Sequence, residues 1–430
     1  MLIIRGGFNM QKRSSFSGKL GFVLAAAGSA VGLGNIWRFP YLAAKYGGGT
    51  FLFIYLILAV TFGFTLMTAE IAIGRKTGLS AIGAFTILDK RFKFLGILAS
   101  AVPIIIFPYY SVIGGWVVKY FFVFVTGSGH AAAGDSYFTD FIGGTFEPIG
   151  WFFLFIAVTA VIVGFGVEQG IEKVSKFMMP ILVLLTLFVA LYGLTIDGAM
   201  DGLSYYLKPH MADVSAKTIL AAMGQLFYSM SLAMGIMITY GSYMKKEDHL
   251  ESSVRQIEIF DTGVAFLAGL MIIPAVFVFS GGDSSALQAG PGLMFITLPK
   301  VFGNMKFGNV VGTVFFLLVF FAALTSAISL METIVSILRD KLGWTRKGTC
   351  VFVTILALVM GVPSSLGFGP LSFISWMGMS VLDIMDFVSN SVLMPIVAFF
   401  TCIFIGFVIK PSTIADEVKV TDGSLRSSLC

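Results

Sequence analysis

Runs of about 20 apolar residues recur along this chain, and an α-helix needs about that length to cross the hydrocarbon core of a bilayer. Clear examples are residues 51–69, 149–165, 179–195 and 310–331. Hydrophobic residues make up 57% of the 430 positions and charged residues 12%, about half the charged share of a soluble domain. A soluble protein of this composition would lack polar side chains to cover its surface. The sequence therefore predicts a polytopic all-α membrane protein.

Ten membrane spans are predicted, with approximate boundaries. They are residues 18–41, 45–73, 94–125, 149–165, 172–195, 216–243, 256–281, 306–340, 346–362 and 379–409. Of the 28 Lys and Arg residues, 21 lie in or beside the N-terminal segment, every second loop and the C-terminal tail. Because cytoplasmic loops are enriched in basic residues, the segments 1–17 and 410–430 are both predicted to be cytoplasmic. The expected location is the plasma membrane, as a multi-pass protein of the bacterial inner membrane.

The charge distribution also bears on the tail and on possible partners. The net charge of +5 follows from the basic loops on one side, so it gives no reason to expect nucleic-acid binding. The tail 410–430 is polar and is predicted to be loosely held.

The first span is interrupted near its middle, at AAAGSAVGLGNIWRFP, by glycines, a proline, an asparagine and an arginine. Lipid offers no hydrogen bonds to the peptide groups that such an interruption exposes. The sixth span has a comparable interruption at FYSMSLAMG, residues 227–235. One glycine-rich span alone could reflect close helix packing. Two interruptions five spans apart predict a five-plus-five inverted-repeat transporter, with repeats 18–195 and 196–409 and a binding site between broken helices one and six.

Asp261 lies within the apolar seventh span. A carboxylate in a membrane span is energetically expensive and indicates a functional site by default. The triplet Asp261-Thr262-Gly263 also matches the motif of aspartic proteases, but that chemistry needs two carboxylates sharing a proton, and no second such triplet exists. The three histidines fall in predicted loops, and no nucleophile–base pair is apparent. The sequence therefore does not favour an enzyme.

Three long motifs carry a resemblance to a known family. The stretch AVGLGNIWRFPYLAAKYGGGTFLFIY resembles the first-helix signature of the neurotransmitter:sodium symporters, especially their bacterial amino-acid transporters. GQLFYSMSLAMGIMITYGSY resembles their sixth helix and FFAALTSAISLMETIVSILRD their eighth. The resemblance extends from about residue 12 to residue 410, although family members usually have one or two further helices. It implies sodium-coupled transport of an amino acid by alternating access.

The resemblance implies two sodium sites built from oxygen ligands, which suit a hard cation. The first site would consist of the Ala30 carbonyl and the side chains of Asn35, Ser229 and Asp261, completed by the substrate carboxylate. The second site would consist of the carbonyls of Gly28, Val31 and Ala322 and the hydroxyls of Thr325 and Ser326. The alternative for both hydroxyls is a hydrogen bond to a carbonyl of their own helix, which is common in membrane spans.

The substrate is expected between the two interruptions. The residues that would contact it are Ala30, Leu33, Gly34, Ile106, Tyr110, Tyr228, Ser229, Ser231, Met234, Ser326 and Leu330. These residues carry no charge, and a charged substrate side chain would be poorly solvated among them, so a neutral, mostly hydrophobic amino acid is expected. Ile106 and Leu330 could equally serve ordinary helix packing.

Relatives that require chloride have a neutral amide where this chain has Asp261, followed by a serine one turn later, where this chain has Ala265. A fixed carboxylate could replace the anion, which predicts chloride independence. A proton-coupled transporter of the same fold is the alternative. Relatives of that type often place a lysine at the second sodium site, and no lysine lies in the core of spans one, five or eight. An ion channel is disfavoured because a pocket with both amide and carbonyl poles suits a zwitterion.

Two gates are implied by the resemblance. Arg38 would form the outer gate with Asp386, through a bridging water, although spacing alone leaves Asp383 possible. The inner gate would pair Arg13 with Asp340. Phe16 and Tyr243 would lie beside the inner gate, with Phe16 where the family usually has tryptophan. A positively charged anchor on the cytoplasmic side is the alternative role of Arg13.

Overall fold

The computed structural model describes residues 3–5, 8–10, 14–281 and 291–418. A short antiparallel hairpin of strands Ile3–Arg5 and Phe8–Met10 precedes the helices and was not predicted from the sequence. The regular structure of the remaining described residues is helical, so the predicted all-α membrane class is confirmed.

Eight continuous helices within the described ranges are long and apolar enough to span a membrane. In chain order they are span 2 (Gly49–Thr77), span 3 (Lys90–Val125), span 4 (Phe146–Gly164), span 5 (Val167–Gly193), span 7 (Leu250–Phe279), span 8 (Gly308–Leu342), span 9 (Arg346–Leu366) and span 10 (Val381–Ile409). Span 1 consists of Lys19–Ala30 and Gly34–Lys45, which are bent by 52° at their break. Span 6 consists of Ala216–Ser229 and Ile236–Gly241, separated by residues 230–235. Both predicted interruptions are therefore present.

The backbone of the span 6 interruption explains why the helix stops there. Ser231, Ala233 and Gly235 have φ angles of 53°, 60° and 71°, in the left-handed region that a right-handed helix cannot include. The interruption packs against that of span 1, because the Ser231 hydroxyl donates to the Ser29 carbonyl at 3.0 Å. The two broken helices therefore face each other with exposed peptide groups.

Burial places the remaining spans around this pair. Within the most apolar stretch of each span, 78% of span 8 and 72% of span 3 is buried, against 28% of span 10 and 33% of span 4. Spans 3 and 8 therefore lie inside the bundle beside spans 1 and 6, and spans 4 and 10 lie at its lipid-facing edge.

Short helices connect the spans. They are Ala81–Leu88, Gly129–Ala132, Tyr137–Gly143, Ala199–Leu207 and Leu298–Asn304, with a single turn at Met211–Asp213, and one more short helix, Pro411–Val418, follows span 10. The helix Pro411–Val418 corrects the prediction of a loosely held tail for this part of the chain. Its Glu417 carboxylate accepts a hydrogen bond from Arg75 at 3.1 Å, and Lys246 also donates to it. Residues 419–430 lie outside the described ranges.

Candidate substrate and sodium sites

A small cavity of about 30 Å³ lies where the interruptions of spans 1 and 6 meet spans 3 and 8. All eleven residues predicted to contact the substrate line it, together with Ser29, Gly32, Asn35 and Ile236. Most of the lining is shielded from solvent. The structure thus brings the predicted substrate residues together around one small pocket.

The cavity has distinct polar groups on an otherwise apolar lining. On one side, the Tyr110 hydroxyl accepts a hydrogen bond from the Leu33 backbone N–H at 3.4 Å. Gly34 is adjacent, and a Cβ atom there would come within 2.6 Å of the Tyr228 ring, so the tyrosine packs directly on the bare backbone. None of the lining residues carries a charge.

Asp261 joins four spans beside this cavity. Its carboxylate accepts hydrogen bonds from Asn35 Nδ2 and from the Ser229 hydroxyl, each at 2.8 Å. Its other oxygen accepts one from the Tyr55 hydroxyl at 3.2 Å. All four side chains are almost fully buried. The side chains predicted for the first sodium site therefore converge, and Ala30 lies on the wall of the adjoining cavity.

The residues predicted for the second sodium site also come together. The Ser326 hydroxyl lies 3.4 Å from the Gly28 carbonyl oxygen and 3.5 Å from that of Val31. Thr325 donates to two carbonyls of its own helix, those of Phe321 at 2.9 Å and Ala322 at 3.2 Å. Thr325 thus follows the alternative of hydrogen bonding within span 8, whereas Ser326 reaches across to span 1. Both residues pack on the same break, since a Cβ atom at Gly28 would lie 3.1 Å from Thr325 Cβ.

Two buried polar residues that the sequence analysis missed hold the exposed backbone. Glu70 Oε1 accepts a hydrogen bond from the Ala233 N–H at 2.8 Å. Gln225 Nε2 donates to the Gly34 carbonyl at 3.0 Å. Both residues are at most 1% exposed. Glu70 thus satisfies a backbone N–H in the interruption of span 6. Gln225 adds a second donor to the Gly34 carbonyl, which also accepts from the Phe39 N–H within span 1.

At the predicted outer gate, the Arg38 guanidinium lies over the Tyr228 ring, 5.2 Å from its centre. Asp386 accepts hydrogen bonds from the Tyr109 hydroxyl at 3.1 Å and from Asn390 Nδ2 at 2.6 Å. A direct salt bridge between Arg38 and Asp386 is absent from the described ion pairs, and Arg38 instead contacts the tyrosine that covers the cavity. Asp383, the other possible acid, accepts from the Ser380 backbone N–H at 3.0 Å and caps its own helix.

At the predicted inner gate, Phe16 is 1% exposed and packs edge-on against Tyr240 and Tyr243, with ring centres 5.7 and 6.1 Å away. Its backbone N–H donates to the Tyr243 carbonyl at 3.2 Å. Asp340 accepts a hydrogen bond from the Ser80 N–H at 2.8 Å. Arg13, the predicted partner of Asp340, lies outside the described residues.

The sequence model of the sodium:neurotransmitter symporter family matches residues 13–140 and 146–428. The chain belongs to this family. A sodium-dependent transporter of Bacillus subtilis is 37% identical over 95% of this chain and 91% of its own length. A sodium-dependent transporter of Haemophilus influenzae is 32% identical over 98% of this chain and 93% of its own length.

A solved structure gives the same result. MhsT in complex with L-phenylalanine superposes with a TM-score of 0.88, at 38% identity over 97% of this chain and 95% of that one. The five-plus-five transporter fold with broken helices one and six is thus confirmed. Family members are sodium-dependent transporters and not enzymes, so the aspartic-protease alternative is wrong.

This symporter has a further buried polar cluster that the sequence analysis missed, next to the predicted inner gate. Glu332 of span 8 accepts a hydrogen bond from the Tyr243 hydroxyl at 2.7 Å and pairs with Arg346 of span 9. Arg346 Nε also donates to the Val163 carbonyl at 2.8 Å. The Glu332 side chain is fully buried. These contacts join spans 4, 6, 8 and 9 at one end of the molecule.

The start of span 1 is fastened to span 5 at the same end. The Ser17 backbone N–H donates to Glu172 at 2.8 Å, and the Ser17 hydroxyl donates to the same carboxylate. Lys176 completes the contact with a salt bridge of 2.6 Å to Glu172. A Cβ atom at Gly21 would lie 2.2 Å from a Glu172 oxygen, so the glutamate could keep this position against a larger residue only by moving its side chain.

Proposed function

We propose that the protein couples the entry of sodium to the uptake of a neutral, mostly hydrophobic amino acid by alternating access. The observation that carries this proposal is the small cavity between the two broken helices, with all eleven predicted substrate residues on its wall and Asp261 beside it. The cavity combines backbone amides for a carboxylate with serine hydroxyls for an ammonium group.

The first sodium ion would bind to the Ala30 carbonyl, Asn35, Ser229 and Asp261. Three of these ligands already share one hydrogen-bonded cluster. Because the substrate carboxylate would complete this shell, ion and substrate would each raise the affinity of the other. The second ion would bind where Ser326 and Thr325 meet the carbonyls of Gly28, Val31 and Ala322. This site would join span 1 to span 8 without contacting the substrate.

The substrate class follows from the lining. Ile106, Met234 and Leu330 supply apolar walls, and no charged side chain would balance an acidic or basic substrate side chain. The similar transporter MhsT was solved with L-phenylalanine, which supports the same class. Chloride independence is part of the proposal, because Asp261 supplies a fixed negative charge and the position one turn later is Ala265.

Alternation would use the two gates at the ends of the cavity. Tyr228, covered by Arg38 and lying near Asp386, would close the outer path. Phe16, Tyr243 and Asp340, with Arg13, would close the inner path. The repeats 18–195 and 196–409 would move relative to each other around the site. Both termini would be cytoplasmic, in the inner membrane of a bacterium.

The energetics are sufficient for accumulation. One charge crossing 100 mV releases about 2.3 kcal/mol. A tenfold sodium gradient adds about 1.4 kcal/mol per ion. Two ions would therefore supply roughly 7 kcal/mol, enough to concentrate a neutral zwitterion more than a thousandfold.

The test is radioligand binding to the purified protein, using a panel of neutral, acidic and basic amino acids with sodium or potassium as the cation. We expect hydrophobic neutral amino acids to bind when sodium is the cation and not when potassium replaces it. Uptake into proteoliposomes then separates the coupling ions. Robust uptake in sodium-free buffer with an imposed pH gradient would favour the proton-coupled alternative and contradict this proposal.

A further inference from the structure

The loop between spans 9 and 10, residues 367–380, projects from the end of the bundle that carries the predicted outer gate, because it ends shortly before Asp386. Its base is fixed, since the Phe368 ring packs edge-on against Trp116 of span 3 with ring centres 5.6 Å apart. Its tip, residues 372–378, is exposed throughout. The loop therefore presents a protruding tip on a rigid base.

The tip is apolar although it is exposed. Phe373, Ile374, Trp376 and Met377 are 78%, 44%, 54% and 81% exposed. The whole loop, residues 367–380, contains no Asp, Glu, Lys or Arg. An exposed cluster of large apolar side chains marks a surface that contacts a protein or a membrane. The tip is therefore built for contact with an apolar phase.

The backbone of the loop is folded so that many of its N–H groups do not need water. Trp376 and Met379 exchange two backbone hydrogen bonds, of 3.2 and 2.9 Å, around a tight turn. Four further N–H groups donate to carbonyls of the loop itself or of Leu366, namely those of Gly369, Leu371, Ser372 and Ile374. Peptide groups that are paired within the protein can leave water at low cost.

The length of span 9 sets the level of the loop in a bilayer. Its 21 residues, Arg346–Leu366, form a helix of about 31 Å, which matches a hydrocarbon core of about 30 Å. The loop thus begins where hydrocarbon gives way to headgroups. Only 39% of the most apolar stretch of span 9 and 28% of that of span 10 is buried, so both flanking spans face lipid. The loop is therefore held beside lipid at the level of the headgroups.

The start of span 4 lies at the same end and is also apolar. A Cβ atom at Gly369 would lie 2.2 Å from the Gly143 carbonyl oxygen, so the loop touches the chain just before span 4. Phe146, the first residue of span 4, is 87% exposed. Span 4 in turn packs on span 9, because a Cβ atom at Gly361 would lie 2.4 Å from the Phe152 ring. The apolar tip thus belongs to an edge of the bundle that faces lipid.

We propose that the tip 372–378 is inserted into the lipid leaflet at the outer-gate end of the molecule. Phe373 and Met377 lie among the upper acyl chains. The ring of Trp376 lies at the headgroup boundary, where its indole N–H donates to a lipid ester carbonyl. The occupant is lipid and not a second copy of the chain, because the surfaces of spans 9 and 10 that continue from the tip already face lipid. Because the loop has no charge, insertion does not depend on the charge of the headgroup.

The test is spin labelling of the full-length protein in liposomes, with its three native cysteines replaced by alanine. A nitroxide at Phe373→Cys is compared with one at Phe153→Cys, on the exposed face of span 4, and one at Ser136→Cys, in an exposed polar loop. Collisions with oxygen report lipid and collisions with a water-soluble nickel chelate report water. We expect the label at residue 373 to lose nearly all contact with nickel, as at 153 and unlike 136. The result should be the same in phosphatidylcholine alone and with added phosphatidylglycerol.

A variant of the tip tests the cause. Trp376→Ser combined with Met377→Ser removes two apolar groups, so the label at residue 373 should become accessible to nickel. Phe146→Ser, at an exposed aromatic residue outside the loop, is the matched control and should leave the label in lipid. Full nickel access at residue 373 in the unaltered tip would overturn the proposal, whether or not the double variant folds. So would insertion that requires phosphatidylglycerol, an unchanged label in the double variant, or spin–spin broadening that vanishes on dilution with unlabelled protein, which would identify a second copy as the occupant.

Discussion

Asp261, the carboxylate proposed to bind sodium, is hydrogen-bonded to three other spans through Asn35, Ser229 and Tyr55. Asp261→Asn replaces an acceptor with an N–H₂ group, so at least one of these donors loses its partner. Because hydrogen bonds to a charged group are worth about 1.5–3 kcal/mol, we expect sodium affinity to fall about tenfold or more. This fall in sodium affinity is measured by following the binding of a labelled amino acid while the sodium concentration is varied. Unchanged sodium affinity would exclude Asp261 as a ligand.

The same position tests the anion requirement. In Asp261→Asn combined with Ala265→Ser, the fixed charge is gone and a hydroxyl is available one turn away. We expect chloride to raise substrate binding in this double variant, whereas exchange of chloride for gluconate should leave the wild-type protein unaffected. A wild-type protein that loses uptake in gluconate would show that chloride independence is wrong.

A variant at Tyr55 tests whether the side chains that donate hydrogen bonds to Asp261 affect sodium affinity. Tyr55→Phe removes one hydroxyl that donates to Asp261, a loss of about 1 kcal/mol. Sodium affinity should change about fivefold, which the same titration resolves. Tyr41→Phe is the control, because its hydroxyl bonds Lys45 near the surface. Equal effects of the two variants would indicate a general loss of stability.

The sequence identified Asp261 because a carboxylate stands out in an apolar span. The same signal would have found Glu70 and Glu332, which lie in spans 2 and 8 and are also fully buried. Tyr55 and Gln225 gave no comparable signal. Uncharged polar residues are frequent in spans, and a single sequence does not show which face of a helix meets a binding site.

At the scale of the helices, the interruptions of spans 1 and 6 were predictable because glycine and polar residues are concentrated at one point of each otherwise apolar segment. The residues at which the spans end were less predictable. Span 1 continues to Lys45, beyond its predicted end at residue 41, and span 9 continues to Leu366, beyond residue 362. Packing against neighbouring helices determines these last turns, and hydropathy does not report it.

The backbone conformation at Ala233, in the interruption of span 6, tolerates few side chains. Its φ of 60° is tolerable for alanine, but a β-branched residue there is severely strained. We expect Ala233→Val to lower stability by about 2 kcal/mol or more and to abolish binding, with Ala233→Gly tolerated. Ala221→Val, in the regular helix before the break, is the control. Thermal unfolding with and without sodium measures both effects, and a harmless Ala233→Val would argue against the left-handed backbone.

The pair Glu332–Arg346 joins spans 8 and 9 in a buried place. Removing one partner leaves a buried charge, which is expected to cost about 3–5 kcal/mol, whereas replacing both with apolar residues is expected to cost far less. Glu332→Leu and Arg346→Met should therefore each lower the melting temperature more than the double variant does. Additive effects in this cycle would show that the pair does not interact.

At the scale of the whole molecule, the helix Pro411–Val418 ties the chain after span 10 back to span 2. Burial tends to raise the pKa of Glu417, but hydrogen bonds and charge from Lys246 and Arg75 hold that pKa below its usual value. The stabilisation is therefore present above the ordinary glutamate pKa of about 4.3 and is lost as the pH falls through the lower folded value.

Glu417→Gln should destabilise the protein by about 1 kcal/mol at pH 7, because Arg75 loses its counter-charge. The difference in melting temperature between this variant and the wild type should shrink as the pH falls below about 4 and through the lowered pKa of the Glu417 carboxylate. Asp416→Asn, on the exposed side of the same helix, is the control. A difference that stays constant between pH 7 and pH 3 would contradict an ionic contribution.

The hydrogen bond from the Leu33 amide to Tyr110 is long, at 3.4 Å, and a long bond is easily exchanged for a better one. In the proposed function, an arriving amino acid would offer its carboxylate as that better acceptor. A monoamine with the same aromatic or aliphatic tail, such as phenethylamine, has nothing to offer the amide and would fill the pocket with no gain at this end. If the cavity is the substrate site proposed above, it would therefore distinguish an amino acid from its decarboxylated product, whatever the tail.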